Sequence, residues 1–208
     1  MREKEKTTGV IFVRHGQADF PNNRLYCDDR EDPPLTAAGM GHARHAAELV
    51  TGQPVDVIYA SPTLRTRTTA EAIAGATGAP LRFNDKFKER PFGIWDGLYF
   101  EDIARDFPRE FQEWKRDPVY FVPEGGETIH DHMTRVKGAL EAVIAEHPAQ
   151  LIVIVAHVGP IRVLLTDALS MPLEAYRRLT IDYGSLTRVD YGRQQNNLAY
   201  LNYYHRGR

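Results

Sequence analysis

Polar side chains follow three apolar runs of the sequence, each long enough to form a β-strand. They are Arg14 and His15 after the first run, Ser61 with Arg65 one helical turn further on after the second, and His157 after the third. The carboxyl ends of parallel strands lie along one edge of a sheet, where open α/β sheets bind their ligands. We therefore expect these side chains to meet in one crevice.

The chemistry of these side chains suits a phosphate group. Guanidinium groups bind phosphate oxygens through a planar fork and keep their charge at any working pH. A neutral imidazole can attack phosphorus, while a second imidazole donates a hydrogen bond to the developing charge. The set predicts a site for phosphoryl transfer.

The elements that position these residues alternate between strands and helices. Strands are predicted at residues 10–13, 55–60, 81–83, 151–156, 186–190 and 199–203, and the longer helices at 37–50, 63–76, 129–147 and 160–169. Thr36 and Thr128 are predicted N-caps, and Ser61 is predicted to cap a helix with Pro62 at its first position. This order predicts a three-layer α/β/α sandwich with a mostly parallel central sheet.

The segment between the third strand and the long helix departs from this alternation. Residues 85–128 contain both tryptophans, many charges and two short helical pieces at 99–106 and 109–115. We interpret this segment as a small helical lobe inserted over the crevice, within a single domain of residues 1–208. A polar loop at 20–34 is long enough to suggest a functional role, and residues 1–8 are expected to form a flexible tail without a signal peptide.

Composition limits the classes of partner. The net charge of -2 gives no general attraction to nucleic acid or to anionic membranes, and we expect neither as a partner. The single cysteine, Cys27, fits a cytoplasmic protein without internal disulfides. An exposed sheet edge near the C-terminus would permit a homodimer.

Six motifs in a fixed order carry a resemblance to a known family. They are RHGQ at 14–17, LTAAG at 35–39, SPTLRTRTTA at 61–70, ERPFGIWDG at 89–97, GGET at 125–128 and VAHVGPIR at 155–162. Together they resemble the histidine phosphatase superfamily, also called phosphoglycerate mutase-like, and its phosphatase branch in particular. The resemblance implies hydrolysis of a small phosphomonoester.

The resemblance also implies roles for five residues. His15 would be the nucleophile that is transiently phosphorylated, and Arg14, Arg65 and His157 would hold the phosphoryl oxygens. Glu89 would protonate the leaving oxygen and then accept a proton from water. Neither a metal nor a cofactor is implied.

Further phosphate contacts are expected around these five residues. Gln17, the backbone N–H of Val158 and one of Asn22 and Asn23 are candidates, and the choice between the two asparagines stays open. Ala18 stands where the family usually has serine or threonine, and Val158 stands where it usually has glycine.

Two alternatives to a phosphatase are considered. A mutase would return the phosphoryl group to its substrate, but the basic residues that such enzymes need are represented in this lobe only by residues 114–116. A non-catalytic module that binds a phosphorylated ligand or a protein would be expected to have lost the nucleophile or an arginine. Phe92, Trp95, Tyr99 and Trp114 would suit a partly apolar or ring-bearing substrate.

Other polar and aromatic residues receive structural interpretations. Arg162 is expected in an ion pair or behind the phosphate ligands. The histidine pairs on the predicted helices are expected at the surface and not at a metal site: His42 with His45, and His130 with His132. Four tyrosines are expected to pack at the sheet edge: Tyr183, Tyr191, Tyr203 and Tyr204.

Overall fold

A six-stranded sheet lies at the centre of the computed structural model, which describes residues 7–26 and 31–204. Its strands are β1 (Thr8–Arg14), β2 (Val57–Ala60), β3 (Leu81–Phe83), β4 (Leu151–Ala156), β5 (Leu186–Tyr191) and β6 (Asn196–Tyr203). Their order across the sheet is β3-β2-β4-β1-β5-β6. The first four of these are parallel to one another, and β5 and β6 are antiparallel additions.

Helices connect and cover the strands. They are α1 (Ala37–Val50), α2 (Leu64–Thr77), α3 (Phe100–Asp106), α4 (Pro108–Arg116), α5 (Ile129–Glu146) and α6 (Val158–Ala168), with short 3-10 helices at Asp85–Phe87, Gly93–Trp95 and Leu173–Arg178. Among the described residues, none of these helices is both long and apolar enough to cross a membrane.

The two faces of the sheet carry separate apolar cores. Along β1, Val10 and Phe12 belong to the core shared with α5 and α6, whereas Ile11 and Val13 belong to the core shared with α1 and α2. Successive side chains of a strand alternate between faces, and each buried residue of this size stabilises the fold by about 1.5–3 kcal/mol. The predicted three-layer α/β/α sandwich with a mostly parallel sheet is confirmed.

The segment between β3 and α5 has an aromatic cluster of its own. Trp95 is fully buried there with Leu25 and Ile103. Partly buried side chains pack around them: Phe92, Leu98, Phe100, Phe107, Phe111, Trp114 and Phe121. The treatment of residues 1–208 as one domain with a lobe inserted at 85–128 stays a prediction.

Several helix ends match their sequence signals. The Thr36 hydroxyl accepts from the N–H of Gly39 at 2.9 Å, and the Thr128 hydroxyl accepts from the N–H of Asp131 at 3.0 Å. Gly78 ends α2 in the left-handed conformation, with φ of 73°. Capping threonines and a C-terminal glycine satisfy backbone groups that a helix end leaves unpaired.

Two predicted helix starts are wrong. Thr63, not Ser61, occupies the N-cap position of α2, because the Ser61 hydroxyl is hydrogen-bonded to His157 instead. Helix α6 begins at Val158, two residues before the predicted Pro160. Proline is tolerated throughout a first helical turn, whose N–H groups have no intrahelical partner.

Part of the sequence interpretation falls outside the described residues. Cys27, Asp28 and Asp29 lie there, as do residues 1–6 of the expected tail. Thr8, the last residue assigned to that tail, lies in β1 and is buried.

Candidate active site

The polar residues predicted at the strand ends do meet. Arg14, the last residue of β1, is in register with Ala156, the last residue of β4, so His15 and His157 lie side by side. Their ring centroids are 5.1 Å apart at an interplanar angle of 65°. Arg65, in the first turn of α2, lines the same cavity of about 480 Å³.

The backbone fixes the tautomer of the His15 ring. Its Nδ1 lies 2.7 Å from the carbonyl oxygen of Gly16, which can only accept, so Nδ1 carries the hydrogen and Nε2 carries the lone pair. A Cβ on Gly16 would lie 2.3 Å from the carbonyl oxygen of Gly39. The backbones of the motifs at 14–17 and 35–39 are therefore in direct contact. A residue larger than glycine at position 16 or 39 would prevent this contact.

Both imidazoles stay neutral at pH values well below the usual pKa of histidine. Burial lowers the pKa of His15 far below 6.5, and the Arg65 and Arg14 charges lower it further. Burial likewise lowers the pKa of His157, followed by Arg65, His15 and Arg14. At neutral pH the site thus holds fixed guanidinium charges beside two neutral imidazoles.

Arg14 is fixed by the segment that precedes β5. Its Nη1 donates to the carbonyl oxygen of Ile181 at 2.7 Å, and its guanidinium lies 3.7 Å above the Tyr183 ring. Its Nε is buried and has no hydrogen-bond partner in the described part of the chain. Tyr183 also contacts His15, at a centroid distance of 5.8 Å, so its assignment to the sheet edge is wrong.

Arg65 is 2% exposed and is held by the polar loop. Its Nη1 donates to the Tyr26 hydroxyl at 3.1 Å and lies 3.7 Å from Asp32 Oδ1. Asp32 also accepts from the backbone N–H of Leu64 at the start of α2, at 2.7 Å. The long loop therefore lies against the cavity and contacts Arg65.

His157 is positioned by Ser61. The two side chains are joined by a hydrogen bond of 2.9 Å between Nε2 and Oγ, and His157 Nδ1 is buried without a partner among the described residues. His157 is also the N-cap of α6, so the N–H groups of the first turn lie beside it. Helix N-termini bind anions through such groups.

Glu89 enters the cavity from the segment after β3. Its Oε1 accepts from the N–H of Arg90 and its Oε2 from the N–H of Gly159, both at 2.9 Å. A Cβ on Gly159 would lie only 1.9 Å from Glu89 Oε1. The glycine of the motif at 155–162 is what admits this carboxylate.

The other predicted contacts divide into two groups. Asn22 and Val158 line the cavity, whereas Asn23 and Gln17 are not among its lining residues. The carbonyl oxygen of Asn23 accepts from the N–H of Phe100, and that of Gln17 accepts from the N–H of Thr36. The geometry favours Asn22 as the asparagine that reaches a ligand.

Sequence reasoning missed several lining residues. Arg162 was expected in an ion pair or behind the phosphate ligands; it lines the cavity itself, and its Nε donates to the Leu179 carbonyl oxygen. His132 was expected at the surface, but it is fully buried and also lines the cavity. Other lining residues had drawn no attention or only a structural role: Tyr26, Arg90, Ile129, Tyr176 and Arg177. Only the helical spacing of residue 132 from the apolar positions 129 and 136 could have revealed its burial.

The part of the chain that the structure describes contains no group of three or more histidine, cysteine, aspartate or glutamate side chains arranged to hold a metal ion. Charge in the cavity comes instead from arginines and Glu89.

The sequence is similar to one family model and to proteins named as phosphatases. A family model described as Histidine phosphatase superfamily (branch 1) matches residues 10–203. Phosphoserine phosphatase 1 of Hydrogenobacter thermophilus is 30% identical over 193 residues, which cover 93% of this chain and 91% of that protein. The uncharacterized phosphatase PhoE of Bacillus subtilis is 34% identical over 160 residues, 77% of each chain.

A solved structure has a similar fold. A putative alpha-ribazole-5'-P phosphatase from Escherichia coli K-12 superimposes with a TM-score of 0.85 at 25% sequence identity. The match covers 96% of this chain and 98% of that chain.

Proposed function

This chain belongs to the histidine phosphatase superfamily (branch 1) and is a hydrolase of phosphomonoesters, and we propose that it acts through a phosphohistidine on His15, without a metal ion. The observation that carries the proposal is the state of His15 itself. The ring is buried and neutral, and Gly16 fixes its hydrogen on Nδ1. Its Nε2 is left as the nucleophile in a cavity lined by guanidinium groups.

Binding places the phosphoryl group between the arginines and the two imidazoles. Arg14 and Arg65 balance its two negative charges, and Asn22 and the N–H of Val158 add neutral donors. A His157 ring that accepts from Ser61 carries its hydrogen on Nδ1, which then donates to a phosphoryl oxygen. Charge neutralisation and in-line positioning are what phosphoryl transfer requires from a protein.

In the first chemical step, the Nε2 lone pair of His15 forms a bond to phosphorus. The bond between phosphorus and the leaving oxygen breaks, and its electron pair takes the proton of the Glu89 carboxyl group. The products are the free alcohol, a phosphohistidine and an ionised Glu89. General acids of this kind contribute about 10²- to 10⁴-fold to a rate.

In the second step, water attacks the phosphohistidine and gives a proton to Glu89. The phosphorus–nitrogen bond breaks and its electron pair returns to Nε2. Inorganic phosphate leaves, and Glu89 again carries the proton that the next cycle uses. The two steps together restore every group of the site.

The substrate is proposed to be a small phosphorylated metabolite. A cavity of about 480 Å³ lies within the usual range for small-molecule sites. Relatives are named for phosphoserine and for alpha-ribazole phosphate. These names also favour transfer to water over the return of the phosphoryl group that a mutase performs.

The proposal is tested by phosphate release from p-nitrophenyl phosphate and from O-phosphoserine in EDTA. Wild-type protein is expected to hydrolyse the aryl ester, and His15→Ala to be inactive. The matched control is His130→Ala, because His130 is exposed on α5 and should leave the rate unchanged. Activity in His15→Ala, or activity that is lost with EDTA and restored by a metal, would overturn the mechanism.

A further inference from the structure

His132 is a buried titratable side chain that the mechanism above does not use. It lies in the first turns of α5, is fully buried, and lines the cavity. Its Nε2 has no hydrogen-bond partner among the described residues. A buried polar atom without a partner is destabilising, so its presence in a cavity wall points to a partner that is engaged during function.

The group that Nε2 faces is the carboxyl of Glu89. His132 Nε2 lies 3.9 Å from Glu89 Oε1, beyond hydrogen-bond distance but with only a small adjustment needed to reach it. The backbone N–H groups of Arg90 and Gly159 hold the same carboxyl from two other directions. Catalytic hydrogen bonds are often long without substrate and shorten when it binds.

The opposite side of the imidazole is held rigidly. Its Nδ1 lies 3.1 Å from Glu127 Oε2 and 2.8 Å from Arg135 Nη2. Arg135 and Glu127 form a two-pronged pair at 2.8 and 2.7 Å, and Arg135 also donates to the Lys86 carbonyl oxygen. Burial alone would raise the pKa of Glu127, but hydrogen bonds from Arg135 and His132 lower it to about 2.

This arrangement satisfies Nδ1 in either tautomer of the ring. With hydrogen on Nδ1, the ring donates to the ionised Glu127. With hydrogen on Nε2, Nδ1 accepts from Arg135 and Nε2 donates to Oε1 of Glu89. This second tautomer leaves the proton of Glu89 on Oε2, from where it can pass to the leaving oxygen, and it suits the ionised carboxylate equally.

We propose that His132 is a positioning residue for Glu89, which hydrogen-bonds Oε1 and holds the carboxyl at the leaving oxygen. The inference rests on the proposed role of Glu89 as proton donor. It does not depend on which metabolite is the natural substrate. Loss of His132 should therefore slow hydrolysis most for substrates whose leaving oxygen must be protonated.

The experiment compares two substrates in His132→Phe, a variant that keeps a buried ring but removes both nitrogens. Nitrophenolate departs without protonation, whereas the serine alkoxide of O-phosphoserine does not. We expect kcat/KM to fall about 30-fold for the alkyl ester and less than about 3-fold for p-nitrophenyl phosphate. The ratio kcat/KM is used because it reports the steps up to release of the leaving group, before hydrolysis of the phosphohistidine.

Two further variants separate positioning from packing. His132→Gln retains an amide near the Nε2 position, and we expect it to restore the alkyl-ester kcat/KM to within about 5-fold of wild type. The control is His130→Phe, two residues away on the exposed side of α5. It should change kcat/KM for neither substrate. Thermal melts of all variants establish that each one is folded.

Each result supports or overturns the inference. Equal losses for the two substrates would show that His132 serves packing only, and no loss for either would show that Glu89 does not need it. If His132→Gln did not restore kcat/KM for O-phosphoserine, the proposed hydrogen bond between His132 and Glu89 would be wrong. The proposed function fails separately, if wild-type protein forms no phosphohistidine or if His15→Ala remains active.

Discussion

Replacing Gly159 with alanine tests how tightly the fold holds Glu89. The new Cβ would lie 1.9 Å from Glu89 Oε1, 2.8 Å from Cδ and 3.0 Å from Oε2. Moving Oε1 out to ordinary contact requires a shift of about 1.5 Å. The carboxyl group is rigid, so the shift also breaks the 2.9 Å hydrogen bond from the N–H of Gly159.

The size of the effect follows from that displacement. A misplacement of about 1 Å in a catalytic group can cost on the order of 100-fold, so kcat/KM for O-phosphoserine should fall by at least about 100-fold. Stability should change little. The lost hydrogen bond costs about 1 kcal/mol, while an alanine within a helix gains about 0.5–1 kcal/mol over glycine.

The assay is kcat/KM for O-phosphoserine together with a urea unfolding curve. Gly138→Ala is the matched control, because a Cβ on this residue of α5 would meet nothing within 4 Å. It should keep full activity and gain about 0.5–1 kcal/mol of stability. If Gly159→Ala retained more than a third of wild-type activity while folded, the proposed role of Glu89 would be wrong.

Three further predictions concern the phosphate site. Ser61→Ala removes the partner of His157 Nε2, and we expect about tenfold weaker inhibition by inorganic phosphate, measured by competition against p-nitrophenyl phosphate. Burial and the arginines lower the pKa values of His15 and His157 in the folded protein. Below pH about 6.5, the usual pKa of histidine, the unfolded chain therefore binds protons at these two residues that the folded protein does not. Stability should be complete above that pH and fall as the pH drops toward the folded-state values; urea midpoints from pH 8 to 5 measure this, and His15→Asn should reduce the slope. Hydrolysis in EDTA should equal hydrolysis without it, and a loss on chelation would contradict the metal-free mechanism.

The sequence was most informative where local patterns decide the structure. Unbroken apolar runs marked β1 and β4, and the residues after them reached the cavity because parallel strands end at one edge. Thr36 and Thr128 acted as caps because a hydroxyl satisfies helix N–H groups whatever the tertiary context.

Tertiary contacts between distant segments could not be predicted in this way. Ser61 looked like a helix cap, but its hydroxyl is hydrogen-bonded to His157, which is 96 residues away. Tyr26 and Tyr183 carry no local signal for their contacts with Arg65 and Arg14. These contacts depend on how the loops cross the edge of the sheet, and the hydrophobic periodicity of the sequence does not predict the path of a loop.

His132 is an intermediate case. Its position falls on the buried stripe of α5, with Ile129 and Val136. The polarity of histidine favoured a surface location, but the buried stripe borders a polar cavity. Helical position was the better guide here, because the wall of an active site is buried without being apolar.

The phosphoryl group is proposed to pass through His15, and trapping it on that ring tests this step. Glu89→Gln removes the base for the second step, while p-nitrophenyl phosphate still phosphorylates the nucleophile. Protein mixed with this substrate, quenched in alkali and examined by peptide mass spectrometry should carry one phosphoryl group on the peptide containing His15. Glu89→Gln combined with His15→Ala should carry none. Release of nitrophenol without a phosphorylated peptide, or phosphorylation of another residue, would contradict the account.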